Sequence, residues 1–364
     1  MKKLRYVFLG PIDPVLTQVI WHAAAIALSE GDIPPTLFID WPASPLVSCG
    51  YFQEVSKEVD IEFCRKMGIP IVRRVIGGGA VYLDENQIFY QLVIPQDWSD
   101  VPADTVGRFE YFLRAPVQTY RELGVDAYFR PVNDIEVNGR KISGNGGGEI
   151  EKAFVFVGNI ILDFNYDIMV KVLRVPSEKF RDKFAKSLKE RVTSLRRELG
   201  YVPDRSRVVD LLVKNFEKYL NVKLERGELT RREEEIIREL REQYLSHEWL
   251  FMHEERHPNL ATRKVKVAGD TYIVEGVYKS PGGLIRVTFE MEDEVIRDIL
   301  ISGDFWLEPR DAIADLENSL KGLRLDKNLL KSALVEVFES KKIRTSGTSP
   351  EDFVNAILTA YNAH

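Results

Sequence analysis

The sequence predicts an α/β (α+β) chain with a largely antiparallel or mixed sheet, followed by a small α+β domain. Three observations carry this. Short apolar runs of strand character alternate with longer stretches of helical spacing over the first 250 residues or so. Several runs are joined by turns rich in Gly or Asn-Gly, which favour antiparallel neighbours. The pattern then changes across a polar, Pro-containing connector at Met252 to Thr262. At 364 residues two domains are expected, with boundaries at 1–252 and 263–364.

In chain order, Leu4 to Leu9 reads as a first strand and Leu16 to Leu28 as a helix ending near Gly31. Thr36 to Ile39 and Leu46 to Cys49 are short strands, and Val59 to Met67 is a helix stopped by Gly68. Ile69 to Val72 and Ala80 to Leu83 flank Gly77 to Gly79, a pattern read as a glycine hairpin, and Ile88 to Ile94 follows. Asp104 to Leu123 is a helix carrying Pro116. DIEV, Asn138-Gly139 and RKIS form a hairpin with Lys141 on the return strand, leading into a second glycine-rich turn at Gly144 to Gly148. Ala153 to Val157 and Ile160 to Leu162 read as one or two buried strands. Ser177 to Leu199, capped by Ser177, Asp204 to Leu220 and Glu228 to Tyr244 are helices. The tail alternates in strands at Arg263 to Val267, Thr271 to Tyr278, Gly283 to Glu290 and Glu294 to Ser302. Helices at Asp311 to Leu320, Lys327 to Ser340 and Ser349 to Tyr361 complete it.

Composition excludes several functions. A net charge of −6 argues against nucleic-acid binding, which needs a basic face. No stretch approaches the roughly 18 apolar residues of a membrane span, and the apolar run after Met1 is too short for a signal peptide. Two cysteines, Cys49 and Cys64, suit a reducing cytoplasm and form neither a disulfide scaffold nor a metal site. His253 and His257 lie at i, i+4 but lack a third ligand.

The chemistry concentrates in two stretches. RRVIGGGAVYLD, from Arg73 to Asp84, places two guanidinium forks before a glycine triplet whose main-chain N–H groups can converge on an anion. NDIEVNGRKISGNGGGE, from Asn133 to Glu149, places Lys141 where an ammonium can neutralise a phosphate or a developing oxyanion. Taken singly, the triplet is a tight turn and the lysine a solvated one.

Together with GYFQ at Gly50 and VPSEKFRDKFAKSLKERVTSL at Val175, these stretches resemble lipoate-protein ligase A, in order and spacing, over residues 1 to about 252. GVYKSPGGLIRVTFE at Gly276 and ISGDFW at Ile301 resemble the accessory domain of such ligases, here fused. The resemblance implies a biotin/lipoate ligase-like (class II synthetase-like) mixed sheet. It also implies a cytoplasmic, monomeric enzyme that makes lipoyl-AMP from lipoate and ATP, with Mg2+ held through the phosphates. The acyl group then passes to a lysine of a 2-oxoacid dehydrogenase lipoyl domain or a glycine-cleavage H-like protein. By the same resemblance Lys141 is catalytic. Arg73, Arg74, Gly77, Gly78, Gly79, Val81, Tyr82, Asp84, Gly144 and Asn145 bind the acyl-adenylate, and Asn133 and Asp134 orient Mg–ATP. The chain departs from the family pattern at Leu83, Gly144 to Glu149, Val157-Gly158, Phe89 and Gln91. These leave lipoate and octanoate both open. Two other readings stand beside the ligase: an octanoyl- or lipoyl-transferase, which needs an activated cysteine and finds none after Cys64, and a non-catalytic binder of lipoyl domains or adenylate.

Overall fold

A computed structural model describes residues 2–174, 181–257, 260 and 271–363. These form two compact units. The first comprises Met1–Ser48, Val59–Val72 and Val81–Leu245; the second comprises Cys49–Glu58, Arg73–Ala80 and Ser246–His364.

The first unit is built on a six-stranded mixed sheet in the order Asn145–Ile150, Ala153–Ile161, Gln87–Pro95, Thr36–Pro42, Lys2–Ile12, Val222–Arg226. Lys2–Ile12 runs parallel to both its neighbours, and the remaining pairs are antiparallel. Strand alternation gives the sheet two apolar faces. Ile39, Tyr90, Leu92 and Phe156 pack against Phe109 and Phe112 of the helix Thr105–Glu122 and Leu212 and Phe216 of Arg205–Leu220. The helix Leu16–Glu30 is buried along most of its length and is tied to Arg231–Leu245 by His22 Nδ1 and the Tyr244 hydroxyl, 3.1 Å apart. Aspartates cap several of the helices; Asp104 accepts from Gly107 N–H at 2.8 Å and Asp204 from Arg207 N–H at 3.0 Å. Pro116 lies inside its helix.

Several expectations change. The first glycine triplet is not a hairpin turn. Its flanking strands Ile71–Arg73 and Val81–Leu83 lie on either side of Leu46–Cys49, so each pairs with that strand and not with the other. The second triplet, Gly146 to Gly148, is strand, paired with Val157, Phe156 and Val155. A Cβ on Gly147 would lie 2.8 Å from Val155 O, so glycine here admits a close main-chain neighbour. Ala153–Ile161 is a single strand, one of the two forms the sequence allowed. The predicted helix from Ser177 is broken: Arg181–Arg191 and Leu195–Leu199 are separate, because Ser194 caps the second and Thr193 N–H bonds Lys141 O at 2.9 Å. Ser177 to Phe180 lie outside the described residues, as does the predicted strand Arg263 to Val267. The parallel edge strand Val222–Arg226 and the helices Val55–Glu58 and Tyr166–Val172 had no sequence signal strong enough to read.

On the sheet face toward Leu16–Glu30, Asp40 is fully buried. Its Oδ1 accepts from Gln91 Nε2 at 3.3 Å, and that amide also donates to Thr17 O at 2.9 Å. Asp40 Oδ2 and Gln91 Oε1 are buried acceptors with no partner among the described residues. Burial holds the Asp40 carboxyl well above the usual carboxylate range. Burial in this setting favours the neutral acid, which would carry a donor that the carboxylate lacks. The native state therefore keeps a proton that the unfolded chain loses above about pH 4, and stability falls as pH rises from there through the folded pKa. Asp40→Asn is expected to raise stability at pH 7 by about 1–3 kcal/mol and to flatten that fall. Urea titrations from pH 5 to 8 check both; destabilisation by the variant at every pH would contradict a neutral Asp40.

The second unit carries a three-stranded antiparallel sheet, Thr271–Ser280, Gly283–Glu292 and Val295–Gly303. The helices Ala312–Leu320, Lys327–Ser340 and Pro350–Asn362 cover it around Phe289, Ile299, Leu316 and Phe353. The connector predicted at Met252 to Thr262 begins as the short helix Met252–Arg256, and residues 258–259 and 261–262 lie outside the described residues. No helix among the described residues is long and apolar enough to cross a membrane.

Candidate functional site

The predicted site residues fall into two groups. Asn133, Asp134, Lys141, Gly144 and Asn145, with Val81, Tyr82 and Asp84, belong to the first unit; Arg73, Arg74 and Gly77 to Gly79 belong to the second.

In the first unit the hairpin Asp134–Val137 and Arg140–Ser143 turns at Asn138 and Gly139, both with positive φ, as Asn-Gly favours. Its bulge between Ile135 and Glu136 sets Lys141 opposite Glu136. The Lys141 main chain is held by Thr193 N–H, while Nζ lies 2.5 Å from Asp134 Oδ1. Both side chains remain about one-third exposed, at 37% and 29%. Asn133 and Asn145 clamp each other. Asn133 Nδ2 donates to Asn145 O at 2.6 Å and Asn145 Nδ2 to Asn133 O at 2.9 Å. Gly144 N–H donates to Asn159 Oδ1 at 2.8 Å, and Asn159 Nδ2 to Gln87 Oε1 at 2.7 Å. The Ser143 hydroxyl donates to Asn159 O at 2.6 Å, and the buried Tyr90 hydroxyl reaches Asn145 Oδ1. Sequence reading missed Tyr90, Ser143, Asn159 and Gln87. Their signal was Gly158: a Cβ there would collide with Asn145 Oδ1 at 2.2 Å and with the Tyr90 ring at 2.5 Å.

The lysine thus stands on a rigid, hydrogen-bonded platform with an ammonium open to solvent. Val81 is exposed, whereas Tyr82 and Asp84 are buried. Asp84 Oδ1 accepts from Asn86 N–H at 3.0 Å and so shapes the turn into Gln87–Pro95. Burial raises both the Tyr82 hydroxyl and the Asp84 carboxyl.

In the second unit Arg73 is fully buried. Its guanidinium donates to five main-chain carbonyls: Gly50, Tyr51, Gln53, Trp249 and Leu250. Glu254 lies 3.7 Å away. Arg74 Nη2 donates to Gly77 O and Gly79 O at 2.9 Å each. Gly78 takes φ +96°, and the glycines allow close approach: Cβ atoms on Gly50 and Gly77 would lie 1.8 Å from Gly78 O and 2.5 Å from Phe305 O. Next to Arg73, the buried His253 ring lies 2.6 Å from Tyr51 O through Nε2, and burial holds it neutral. Neither His253 nor His257 joins a metal-ligating cluster among the described residues. His257 pairs instead with Asp298 and Glu317.

The six-stranded mixed sheet, with a glycine-flanked lysine on the separate three-stranded sheet of Tyr128–Arg130, Asp134–Val137 and Arg140–Ser143, defines a class, and direct comparison confirms it. Residues 20–217 match the lipoyl protein ligase A/B catalytic domain, and residues 273–357 match the bacterial lipoate protein ligase C-terminus. The chain belongs to the lipoyl protein ligase A/B family.

Among its relatives, octanoyltransferase LipM of Kyrpidia tusciae is 30% identical over 271 residues, spanning 68% of this chain and 98% of that protein. Lipoate-protein ligase A subunit 1 of Thermoplasma acidophilum is 32% identical over 230 residues, spanning 60% and 85%. Two solved structures are similar. The first is an archaeal bi-partite lipoate protein ligase studied with its E2 lipoyl domain, from Thermoplasma acidophilum (28% identity, TM-score 0.62, 73% of this chain, all of that one). The second is lipoate-protein ligase A bound with ATP (27%, TM-score 0.58, 69% and 99%).

Proposed function

We propose that this protein is an ATP-dependent lipoate–protein ligase, with residues 1–252 as catalytic domain and 263–364 as accessory domain. It activates lipoate as lipoyl-AMP and transfers the lipoyl group to a lysine of a lipoyl domain or an H-like protein. The carrying observation is the state of the two cysteines. Burial pushes the Cys49 thiol up to about 12 and the Cys64 thiol up to about 11, and neither side chain is exposed. A covalent acyl-transfer route through cysteine needs a thiolate near neutral pH, so activation by adenylation accounts better for this chain. The match of residues 273–357 to a bacterial lipoate protein ligase C-terminus supports the same reading.

In this reaction Lys141 bridges the acyl carbonyl and the α-phosphate, stabilising the charge that develops on oxygen in each step. Arg74 and the main chain of Gly77 to Gly79 hold the carboxylate end, Val81 and Tyr82 border the adenine, and Gly144 and Asn145 line the adenylate. Asp134 offers one partly exposed carboxylate beside Lys141, while the Asn133 amide is committed to Asn145. That donor set fits a magnesium ion carried in on phosphates, which needs only one or two protein carboxylates. The ion would neutralise phosphate charge.

Octanoyl transfer between carrier proteins is the second reading, favoured by the LipM relatives. A Cys49→Ala/Cys64→Ala double variant separates the two. The ligase reading expects at least half of wild-type acceptor modification by intact mass; a thiol-dependent transferase would lose essentially all of it. Pyrophosphate release from ATP with lipoate or octanoate, with and without a lipoyl domain, tests the proposal directly. Acyl transfer without ATP would replace it with the transferase.

A further inference from the structure

Among the described residues, four of the five main-chain oxygens from Val75 to Gly79 accept hydrogen bonds, while the N–H groups of Gly77 to Gly79 donate none. Arg310 Nη1 donates to Val75 O at 2.8 Å, and Tyr51 N–H donates to Ile76 O at 3.0 Å. Arg74 Nη2 takes Gly77 O and Gly79 O. The remaining oxygen, Gly78 O, is packed flush against Gly50. The N–H groups of Gly77, Gly78 and Gly79 donate no hydrogen bond among the described residues, and these glycines are half-buried. A short run of unpaired N–H groups around a left-handed glycine concentrates positive partial charge and suits an anion.

Of the donors that hold this loop, Arg74 adjoins it and Tyr51 lies on the preceding stretch of chain. Arg310 is different. It lies 235 residues beyond Val75, and its guanidinium also sits over the Tyr51 ring at 5.3 Å. It therefore touches two of the supports at once: the Val75 carbonyl directly, and the residue that bonds Ile76 O. The adjoining segment presses on the same loop, with Phe305 O against Gly77 and Asp304 beside Gly79. The Asp304 carboxylate accepts from Leu284 N–H, which draws one oxygen into its own turn.

We infer that Arg310 is a positioning residue for the glycine loop, fixing Val75 and Tyr51 so that the N–H groups of Gly77 to Gly79 receive the carboxylate or phosphate end of the acyl substrate. The inference rests on the proposed reading that this loop holds the acyl group's anionic end. It gives the C-terminal third a specific task in acyl recognition and leaves nucleotide affinity to other residues.

Arg310→Ala and Arg310→Lys test it through two readouts. In hydrogen–deuterium exchange of the ligand-free protein, Arg310→Ala is expected to speed exchange of the hydrogen-bonded amides that anchor the loop, Tyr51 N–H to Ile76 O and Arg74 N–H to Cys49 O, at least tenfold, with the sheet strands Gly283–Glu292 and Val295–Gly303 unchanged. In steady-state pyrophosphate release, KM for lipoate or octanoate is expected to rise about tenfold, with KM for ATP unchanged. Arg310→Lys, which keeps one donor, is expected to recover part of both effects. Unchanged exchange at the Tyr51 and Arg74 amides overturns the inference. So does faster exchange with an unchanged acyl KM, or a general loss of exchange protection across the unit. If the wild type releases no pyrophosphate, the ligase reading fails and the same comparison is made by calorimetric binding of octanoate. A tenfold weaker Kd in Arg310→Ala then sustains the role of Arg310; equal affinities, or no wild-type binding, end it.

Discussion

Lys141→Ala is expected to lower acyl-adenylate formation by about 100- to 1,000-fold or more, the range seen when one group stabilising a developing oxyanion is removed. The fold is expected to survive. The Lys141 side chain makes a partly exposed pair with Asp134, and such pairs contribute about 0–1 kcal/mol. The main chain of Lys141 stays anchored by its hairpin and by Thr193 N–H whatever the side chain. Pyrophosphate release measured beside a thermal melt separates the two effects. Wild-type turnover in Lys141→Ala would remove the lysine from the mechanism; a collapsed melt would make its role structural.

The second large effect is structural. Arg73→Ala is expected to cost about 3–5 kcal/mol, as breaking a buried charge arrangement does. It strips the donor from five carbonyls and leaves Glu254 without its buried counter-charge. Calorimetry is expected to show the melting of the second unit falling by on the order of 10 °C. Arg73→Lys is expected to recover little, because a single ammonium cannot span carbonyls arranged around a planar fork. A stable Arg73→Ala protein that fails only to bind acyl substrate would show instead that this guanidinium faces ligand. The neighbouring Arg74, bonded to the glycine loop itself, is the better placed of the two for that task.

The sequence made some of this legible and hid the rest for identifiable reasons. The Asn138-Gly139 hairpin and the aspartate-started helices are local devices, and local chemistry announced them. The two glycine triplets share one sequence signal but have different structures. Gly77 to Gly79 form a loop against the main chain of Gly50 and Phe305, whereas Gly146 to Gly148 form a strand beside Val155 to Val157. In each case the reason for glycine lies in a partner far along the chain, which periodicity cannot reveal. The tandem arginines posed the same problem, since nothing local distinguishes Arg73, closed in by carbonyls, from Arg74. The supporting residues Tyr90, Ser143, Asn159 and Gln87 lie on ordinary strands and become recognisable only once strand register brings them together.

The discontinuous second unit also bears on how the chain is made. Arg73 is synthesised 176 residues before Trp249 and 177 before Leu250, whose carbonyls complete its surroundings. At translation rates of roughly 5–20 residues per second, that interval lasts about 10–35 s. Throughout it the Arg73–Ala80 segment is on a nascent chain that has Gly50, Tyr51 and Gln53 but not yet Trp249, Leu250 and Arg310, which complete the enclosure of its charge and the support of its glycine loop. Its final conformation must therefore be a late event in folding, set when the C-terminal third leaves the ribosome. A chain halted before Ser246 would have its sheet and Lys141 but not the setting of its glycine loop.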